Sequence, residues 1–453
     1  MSLLTSHLDL IAPWLGSQRW FASKGRLPEL ELIGSWQIPA EDARVHTHLI
    51  MDHSGAEPVL YQVPVTERTT PLADADSALI GRFPEGDETV HLYDGPHDPA
   101  YAEALLRMIT ANATAEAEGA DATGRAFGAL EITAILAARV LTGEQSNTSI
   151  IYRVTTPDGP LRVICKVFRA LHDGDNPDVV LQSALAAAGS ASVPHSIGCV
   201  VGEWNDIGQP GGRARGHLAF AQEFLAGAED AWRFALRAGE TGVDFTDRAF
   251  DLGVVTAEVH RTLATSFGTS GPTPTDIAET LGSWKSRLQL AIDEVPAIAE
   301  LRDVIENLYA TVGSLEWPAL QRIHGDYHLG QVLLADGHWI LLDFEGEPLR
   351  PMPERSRPDF ALRDVAGMLR SFDYVAGSLG STEQASAWTS ASRRAFLSGY
   401  IEESGTDLRA HRELLDAFEM DKAVYEAVYE ARNRPDWLPI PLSALRRLAA
   451  RAR

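Results

Sequence analysis

The spacing of hydrophobic and polar positions divides the chain into a strand-rich first half and a helix-rich second half. Residues 59–65 (VLYQVPV), 150–156, 160–170 and 217–225 contain short apolar or alternating runs, which predict β-strands. A Pro-Asp-Gly turn at 157–159 joins two of these runs and predicts a β-hairpin. Beyond about residue 228 the apolar positions recur at helical spacing. The predicted helices are 228–239, 245–265, 275–296, 298–313, 360–376, 384–403, 408–432 and 441–452.

This change of pattern predicts an α+β protein with two lobes, preceded by a smaller mixed unit. We expect the mixed unit over residues 1–110, a linker or mobile loop over 111–128, a β-rich lobe over 129–226 and a helical lobe over 227–453. The linker is predicted because 111–124 (ANATAEAEGADATG) is small and polar, with no apolar periodicity. Polar motifs between a β-rich and a helical lobe favour a bilobal enzyme with a cleft.

Composition and charge restrict the class of protein. The chain has 453 residues, 45% of them hydrophobic and 23% charged, as in a globular protein with two or three domains. Its net charge of −24 argues against a nucleic-acid partner, which would select a basic surface. No apolar run is long enough for a membrane span, and the N-terminus lacks a signal-peptide pattern. Cys165 and Cys199 provide neither a disulfide framework nor a zinc quartet, so we expect a cytoplasmic protein.

The segment 321–348 (QRIHGDYHLGQVLLADGHWILLDFEGEP) carries the strongest chemical signal. Polar clusters adjoin two short apolar strands, with Asp326 and Gln331 five residues apart and Asp343 after the second strand. Phosphoryl transfer requires a base for the acceptor hydroxyl and oxygen ligands for Mg²⁺. Kinase catalytic loops have this spacing. We therefore predict Asp326 as the catalytic base, with Gln331 and Asp343 as the ligands of Mg²⁺.

Two other interpretations of this segment remain open. His324 and His328 are four residues apart and would form a zinc pair on a helix. Gly325 and the strand-like surroundings disfavour a helix there, and hydrogen bonding of the loop is the simpler role for His324. Aspartates also occur in ordinary turns that have no catalytic role.

Two further segments fit an ATP site. Lys166 lies in the apolar strand VICKVF (163–168), and in kinases such a lysine binds the α- and β-phosphates of ATP. An edge-strand lysine that extends its ammonium into solvent is the alternative. The turn GEQSNTS (143–149) comes one hairpin earlier and would replace a glycine-rich phosphate loop, although such runs are also ordinary turns. Its candidate phosphate donors are Ser146, Asn147, Thr148 and Ser149.

These segments, together with QRWFASKGR (18–26) and YEARNRPDWLPIPL (429–442), resemble the actinobacterial maltokinases, a family related to aminoglycoside phosphotransferases. The resemblance extends along nearly the whole chain and includes RPDFALRDVAGMLRSFDY (357–374) and EMDKAVYEAVYEARNRPDW (419–437). It implies a bilobal eukaryotic-like kinase fold with an N-terminal cap domain over residues 1–110, a β-rich N-lobe and a helical C-lobe.

The resemblance also implies where ATP and the sugar would bind. The ATP phosphates would lie near residues 146–149, with Lys166 on the α- and β-phosphates and adenine against the strand at Gln222 and Glu223. The catalytic base and the ligands of Mg²⁺ would be the residues named above. The acceptor sugar would lie in the C-lobe against residues 419–437.

Two departures from the maltokinase pattern concern the acceptor. Maltokinases typically have NPD-x-E after the lysine strand, and that glutamate resembles the helix partner of the ATP lysine. Here NPDVVL has Val180 at that position, so the lysine–glutamate pair is absent or supplied from elsewhere. Asn433 stands where many maltokinases have histidine. These differences favour glucosamine, which a related actinobacterial group phosphorylates at the 6-hydroxyl, over maltose.

A predicted helix over residues 419–434 supplies most of the sugar contacts. Sugar sites combine an aromatic surface with carboxylates and amides, and carboxylates also suit an ammonium group. A solvated helix face with Lys–Glu pairs and buried aromatic residues would give the same pattern. The candidate sugar contacts are Asp326, His328, Glu426, Glu430, Asn433 and Trp437.

Other classes of protein share parts of this pattern. An aminoglycoside phosphotransferase would have the same catalytic motifs, but QRWFASKGR (18–26) belongs to the maltokinase-like pattern. An inactive binding module would normally have lost Asp326 or Asp343, and a protein kinase would carry an activation-segment signature. We therefore expect an enzyme that uses ATP, Mg²⁺ and a small sugar, without nucleic acid or membrane, and make no prediction for the oligomeric state.

Overall fold

The structure is a computed structural model, and it describes residues 3–117, 119–142, 146–347, 350, 352–380 and 382–452. The helices are α1 (Leu3–Leu15), α2 (Pro99–Thr110), α3 (Pro177–Ala187), α4 (Ala231–Thr241), α5 (Thr246–Phe267), α6 (Pro274–Glu294), α7 (Arg302–Val312), α8 (Met352–Arg355), α9 (Leu362–Ser378), α10 (Glu383–Ser404), α11 (Arg412–Asn433) and α12 (Pro439–Arg451). The strands are β1 (Leu30–Ile38), β2 (Arg44–Asp52), β3 (Val59–Arg68), β4 (Leu79–Glu85), β5 (Glu88–Asp94), β6 (Thr114–Ala117), β7 (Ala120–Ala126), β8 (Ala134–Val140), β9 (Asn147–Thr156), β10 (Gly159–Phe168), β11 (Ala170–Leu171), β12 (Ser196–Asn205), β13 (Arg213–Glu223), β14 (Glu229–Asp230), β15 (Leu320–Gln321), β16 (Val332–Ala335), β17 (His338–Leu341) and β18 (Asp359–Phe360).

The chain forms two compact units. The first comprises Met1–Ser183 and Pro194–Ala226, and the second comprises Ala184–Val193 and Gly227–Arg453. Strands dominate the first unit and helices the second, in agreement with the predicted α+β class. The residues predicted as a separate mixed unit and those predicted as a β-rich lobe lie together in the first unit.

The first unit contains two antiparallel sheets. One has the order β1-β2-β3-β5-β4, with β11 paired to β3. Its apolar side chains pack with α1 in a core that includes Ile11, Trp14 and Tyr61. The other sheet has the order β6-β7-β12-β13-β10-β9-β8. Its strands β9 and β10 form the predicted hairpin, so that Lys166 lies in a central part of the sheet.

The prediction of a linker or mobile loop over residues 111–128 is wrong. The segment contributes β6 and β7, and β7 pairs with the buried strand β12. Its inward side chains are alanines such as Ala120 and Ala122, which are almost completely buried. Larger side chains would not fit, because even a Cβ atom on Gly124 would lie 2.0 Å from the carbonyl oxygen of Met108. The low hydrophobicity of the segment is therefore a consequence of close packing against α2.

The second unit combines the hairpin β16–β17, to which β14 pairs, with long helices. Apart from the four-residue α8, its helices begin and end within four residues of the predicted positions. Its core contains Trp284, whose ring centroid lies 4.9–5.8 Å from those of Tyr309, Trp317 and Phe418. None of the helices in the described ranges combines the length and apolar character needed to cross a bilayer.

Candidate active site

The loop that carries Asp326 is fixed through its backbone. The N–H groups of His324 and Gly325 donate to the two carboxylate oxygens of Asp364 at 2.8 and 2.9 Å. Asp364 lies in the first turn of α9, is buried, and is 2.9 Å from the ring of His260. A charged acceptor therefore satisfies two N–H groups of the loop, of buried His324 and half-buried Gly325, and fixes the loop conformation.

The zinc interpretation of the two loop histidines is not supported by the geometry. The chain from His324 to His328 is not helical, so the two rings do not share a helical face. Nε2 of His324 lies 2.8 Å from the carbonyl oxygen of Leu342. Nδ1 of His328 accepts a hydrogen bond from the N–H of Gly330 at 3.0 Å. Each ring therefore binds the local backbone.

Asp326 shares a buried lysine with a second carboxylate. Nζ of Lys422, on α11, lies 3.1 Å from Oδ1 of Asp326 and 2.7 Å from Oε1 of Glu347. Burial acts against the ammonium, but Glu347 and Asp326 raise the pKa of Lys422 above its usual value. Burial also acts against the Glu347 anion, but Lys422 and nearby arginines hold its pKa well below the usual range. The lysine therefore orients Oδ1 of Asp326, while Oδ2 lies 4.0 Å from the His328 ring.

Gln331 and Asp343, the predicted metal ligands, lie side by side. Nε2 of Gln331 donates to Oδ2 of Asp343 at 3.2 Å, and rotation of the amide by half a turn would present its carbonyl oxygen instead. A carboxylate oxygen of Glu345 lies within 4.8 Å of that of Asp343. Asp343 has a φ angle of +62°, an uncommon conformation outside glycine that is enriched at special sites. Oxygen donors of this kind fit a hard divalent cation such as Mg²⁺.

In the first unit, Lys166 pairs with a carboxylate that is absent from the predicted site residues. Nζ of Lys166 donates to Oδ2 of Asp178 at 2.9 Å. Asp178 lies in the first turn of α3, two residues before Val180, and its side chain is fully buried. Asp178 therefore supplies the partner that Val180 cannot. The Lys166 side chain is only 18% exposed, so the alternative of an ammonium extended into solvent is wrong.

Gln222 belongs to the same hydrogen-bonded network. Its amide donates to Oε1 of Gln182 at 2.8 Å, and the Gln182 amide donates to the second oxygen of Asp178. Gln222 is opposite Ile164 in the β10–β13 ladder, and Ile164 is two residues from Lys166. Because side chains alternate along a strand, Gln222 and Lys166 share one face of the sheet.

Glu223 occupies the other face of that strand. Its side chain lines a separate cavity of about 320 Å³, together with Leu161 and His195. Its backbone N–H donates to the carbonyl oxygen of His195 at 2.9 Å. Strand alternation therefore turns the Glu223 side chain away from the face of Lys166, and the predicted contact of adenine with the strand at Glu223 stays a prediction.

The predicted phosphate donors divide between the two faces of β9. Residues 143–145 of that turn lie outside the described residues. Ser149 is opposite Lys166 in the ladder, and Asn147 lies two residues away on the same face. Ser146 immediately precedes the strand. Ser146, Asn147 and Ser149 therefore stay predicted nucleotide contacts.

Thr148 lies on the opposite face, so its prediction as a phosphate donor is wrong. Its hydroxyl accepts a hydrogen bond from Nε of the buried Arg169 at 2.9 Å. Arg169 in turn donates to both carboxylate oxygens of Asp94 at 2.8 and 2.7 Å. Adjacent side chains of a strand point to opposite faces, so a run of hydroxyl residues in a strand cannot bind one ligand together.

A cavity of about 400 Å³ in the second unit contains Asp326, and we call it the Asp326 cavity. Its wall is formed by the catalytic loop and by residues of α4, α9 and α11. The predicted sugar contacts in this wall are Asp326, His328, Glu426, Glu430 and Trp437, and the further lining residues include Trp232, Ser371, Tyr374, Lys422 and Arg434. The candidate base therefore lies beside a polar and aromatic surface of ligand size.

Both glutamates of this wall are paired with arginines. Nε and Nη2 of Arg370 donate to the same oxygen, Oε2 of Glu426, at 2.9 and 2.7 Å. Arg434 donates to both oxygens of Glu430 at 2.9 and 2.6 Å, and the Tyr374 hydroxyl donates to Oε1 of Glu430 at 3.0 Å. Burial raises the pKa of Glu426, against the opposing effect of Arg370. Of the four carboxylate oxygens, only Oε1 of Glu426 receives no hydrogen bond from the residues that the structure describes.

The prediction that Asn433 contacts the sugar is corrected by its position. Asn433 is exposed and is not among the residues of the cavity wall. Its amide donates to the carbonyl oxygen of Tyr429 at 2.9 Å. Asn433 is the last residue of α11, and its amide therefore bonds back to the last turn of the same helix.

Aromatic rings form another side of the Asp326 cavity. Trp437 stacks on Tyr374 with a centroid distance of 6.1 Å and an angle of 30°. The guanidinium of Arg434 lies 4.8 Å from the centroid of the Trp437 ring. Tyr425 and Tyr429 stack on each other at 6.5 Å. Such rings offer an apolar surface beside hydrogen-bonding groups, a combination that suits a sugar ring.

The strand lysine with its helix carboxylate, and the Asp–Gln–Asp arrangement of the catalytic loop, define a phosphotransferase of the protein-kinase-like class. The family described as "Phosphotransferase enzyme family" matches residues 137–414. The "Maltokinase N-terminal cap domain" matches residues 14–98. The chain belongs to the phosphotransferase enzyme family, and it has the protein-kinase-like fold with an N-terminal cap domain.

Relatives of known activity cover most of the chain. A glucosamine kinase of Streptacidiphilus jiangxiensis is 28% identical over 346 residues, which covers 69% of this chain and 75% of the relative. A glucosamine kinase of Mycolicibacterium smegmatis is 28% identical over 336 residues, with coverage of 68% and 78%. A solved structure of a glucosamine kinase in complex with glucosamine, ADP and inorganic phosphate has a TM-score of 0.67 at 22% identity, over 97% of this chain and 98% of that chain. The predicted kinase fold is confirmed.

Proposed function

We propose that the protein is an ATP-dependent sugar kinase that transfers the γ-phosphate of ATP to the 6-hydroxyl of glucosamine. The observation that carries this proposal is the Asp326 cavity, where a candidate base lies beside two glutamates and several aromatic rings. Carboxylates bind hydroxyl groups and also form charge-assisted hydrogen bonds with an ammonium group. Identity of 28% to two glucosamine kinases supports the same acceptor.

Asp326 would accept the proton of the acceptor hydroxyl while the hydroxyl oxygen bonds to the γ-phosphorus and the bond to ADP breaks. Lys422 would orient the Asp326 carboxylate through its hydrogen bond to Oδ1. Glu347 accepts a hydrogen bond from the same lysine at 2.7 Å and so holds the ammonium in place beside Asp326. Lys422 and Glu347 are positioning residues in this scheme, because they act through Asp326.

The nucleotide would be bound by the Lys166 face of the first unit. Lys166, oriented by Asp178, would bind the α- and β-phosphates. Gln222 would contribute to the adenine side of that face. Gln331 and Asp343 would hold Mg²⁺, which neutralises phosphate charge when it is bound.

Glu426 is the candidate partner of the sugar amine. Both hydrogen bonds from Arg370 go to Oε2 of Glu426, so Oε1 is available to an ammonium or hydroxyl group. Both oxygens of Glu430 already accept hydrogen bonds from Arg434. We therefore assign amine recognition to Glu426 and a supporting role to Glu430.

The structural support for glucosamine differs from the sequence argument for it. Val180 and Asn433 were the two departures that favoured glucosamine over maltose. Asp178 supplies the carboxylate that Val180 lacks, and Asn433 lies outside the cavity wall. Neither departure bears on the acceptor. Maltose is the second candidate because the maltokinase cap-domain family matches residues 14–98.

A substrate panel tests the proposal. Purified protein with ATP and Mg²⁺ would be assayed for ADP release with glucosamine, glucose, maltose and an aminoglycoside, with Asp326→Asn as the control for contaminating kinases. We expect glucosamine to exceed glucose in kcat/KM at least about tenfold, because one charge-assisted hydrogen bond contributes about 1.5–3 kcal/mol. Exclusive turnover of maltose would establish the second candidate, and exclusive turnover of the aminoglycoside would contradict both.

A further inference from the structure

A second cavity, of about 280 Å³, lies among α9, α10 and α12, and the proposed reaction does not use it. We call it the arginine cavity, because its charged lining residues are Arg393, Arg447, Arg451 and a single carboxylate, Asp373. The whole chain has a net charge of −24. Glu419 pairs with Arg393 and Arg447, and Asp416 lies 3.7 Å from Arg451, but neither carboxylate lines the cavity. The surface that faces the cavity is therefore mainly cationic, and a concave cationic surface attracts anions.

Hydroxyl groups supplement the arginines in this wall. Ser386 and Ser390 of α10 and Ser443 of α12 line the cavity and are exposed. Within the described part of the chain, none of their three hydroxyls makes a hydrogen bond. Serine hydroxyls can donate hydrogen bonds to phosphate oxygens, and the guanidinium fork matches phosphate geometry.

Arg447 carries a donor without an acceptor. Its Nη1 and Nη2 contact Asp373, and Nη2 also lies 3.3 Å from Glu419. Its Nε is buried and has no hydrogen-bond partner among the described residues. Among the residues that the structure describes, Arg451 has an ion-pair contact only with Asp416, at 3.7 Å, which is too far for a hydrogen bond. Because Nε of Arg447 has no surface open to the cavity, the guanidinium donors left for a ligand are those of Arg451, which makes no hydrogen bond to the described residues.

We propose that the arginine cavity is a second ligand site, which binds a small phosphate-bearing anion through Arg447, Arg451 and the serine hydroxyls. Guanidinium groups bind phosphate oxygens with paired, charge-assisted hydrogen bonds. The volume is near the lower end for ligand sites, which suits inorganic phosphate or a small phosphomonoester. This inference does not depend on the identity of the acceptor sugar.

One buried arginine joins this site to the Asp326 cavity. Arg370 donates from Nη1 to Asp373 at 2.6 Å and from Nε and Nη2 to Glu426. Asp373 lines the arginine cavity, and Glu426 lines the Asp326 cavity. An anion that draws Arg447 away from Asp373 would strengthen the Asp373–Arg370 pair and weaken the hold of Arg370 on Glu426. The site is therefore suited to regulate sugar binding.

Calorimetric titration tests the site directly. Sodium phosphate and glucose 6-phosphate would be titrated separately into the full-length protein at constant ionic strength, without nucleotide or Mg²⁺. We expect saturable binding that weakens about tenfold in Arg447→Gln and in Arg451→Gln, because each change removes a charge-assisted hydrogen bond. Arg446→Gln is the matched control: Arg446 is the neighbouring residue of α12, is exposed, and is absent from the wall.

Arg447 also pairs with Asp373, so folding of Arg447→Gln would be checked by circular dichroism. Arg451→Gln keeps the test independent of that pair. Tighter binding of glucose 6-phosphate would identify the ligand as a phosphomonoester, and equal or tighter binding of phosphate would identify it as inorganic phosphate. The proposal fails if neither probe binds saturably, if Arg451→Gln retains full affinity, or if Arg446→Gln loses as much affinity as Arg451→Gln.

Discussion

The two cavities of the helical unit share α9 but have opposite chemistry. The Asp326 cavity has three carboxylates and two cations in its wall, whereas the arginine cavity has one carboxylate and three arginines. Both depend on Arg370, which binds Glu426 on one side and Asp373 on the other. The same type of buried ion pair therefore contributes to two walls of different charge.

The two cavities differ in the kind of group that has no hydrogen-bond partner. In one it is a carboxylate oxygen, and in the other it is a guanidinium group. In the Asp326 cavity, Oε1 of Glu426 receives no donor from the described residues. In the arginine cavity, the guanidinium of Arg451 has no hydrogen-bond acceptor among them. The first arrangement is prepared to accept hydrogen bonds from a ligand and the second to donate them. Unused hydrogen-bonding capacity therefore indicates the ligand of each cavity better than its summed charge does.

The largest expected effect is a loss of catalysis that leaves anion binding unchanged. Asp326→Asn should lower kcat about 10³-fold, because a positioned base contributes about 10²–10⁴-fold to catalysis. ATP affinity and phosphate binding in the arginine cavity should be unchanged. Steady-state kinetics and calorimetry on the same variant measure both quantities. A large loss of ATP affinity would contradict the assigned role of Asp326.

The next prediction tests whether Asp373, the carboxylate of the arginine cavity, stabilises the fold. Asp373→Asn should lower the free energy of unfolding by about 3–5 kcal/mol, because it leaves buried arginines without their counter-charge. Urea denaturation measures this change, with Asp407→Asn as the exposed control. A loss similar to that of the control would show that the arginines do not require Asp373.

The lowered pKa of Asp373 predicts how the free energy of unfolding depends on pH in acid. Burial acts to raise the pKa of Asp373, but Arg393, Arg370 and Arg447 hold it below its usual value. Asp373 therefore stabilises the fold above its unfolded pKa of about 3.9, and this contribution is lost as the pH falls through the lower folded value. Asp373→Asn should unfold with a shallower dependence on pH below about pH 4. An unchanged slope would contradict this assignment.

A smaller effect concerns the carboxylates of the Asp326 cavity. Glu426→Gln should raise the KM for glucosamine about tenfold or more, because the amide loses the charge-assisted bond to the ammonium group. The KM for ATP should not change. Glu430→Gln is the matched comparison, and its effect should be smaller because Arg434 already occupies both oxygens. Equal effects of the two variants would remove the distinction between the glutamates.

The smallest effect tests the link through Arg370. Saturating phosphate should change the KM for the sugar by about threefold, a coupling near the lower end of allosteric effects. The change should disappear in Arg447→Gln and persist in Arg446→Gln. Competition at the nucleotide site is excluded if ATP is saturating in every assay. Persistence of the full effect in Arg447→Gln would show that the two cavities are not coupled through this arginine.

Local sequence patterns predicted the elements and the catalytic loop, because both depend on neighbouring residues. Helical periodicity placed the ends of the long helices of the second unit within four residues. The spacing of Asp326, Gln331 and Asp343 identified three residues of one short segment. Of these, Gln331 and Asp343 are hydrogen-bonded to each other. Local patterns failed where packing decides the outcome. The alanine-rich segment 111–128 has weak hydrophobicity, but it forms the two strands β6 and β7, whose inward alanines are buried.

The amino-acid sequence by itself determined the fold class, the base candidate and the metal-ligand candidates, since these follow from periodicity and short spacings. Only the tertiary structure decided the partners of the charged groups. Asp178 with Lys166, and Glu347 with Lys422, are pairs between residues 12 and 75 positions apart. Many carboxylates in an acidic chain could have filled these roles. The choice depends on which one packing buries within hydrogen-bond distance, because a buried charge is stable only beside its counter-charge.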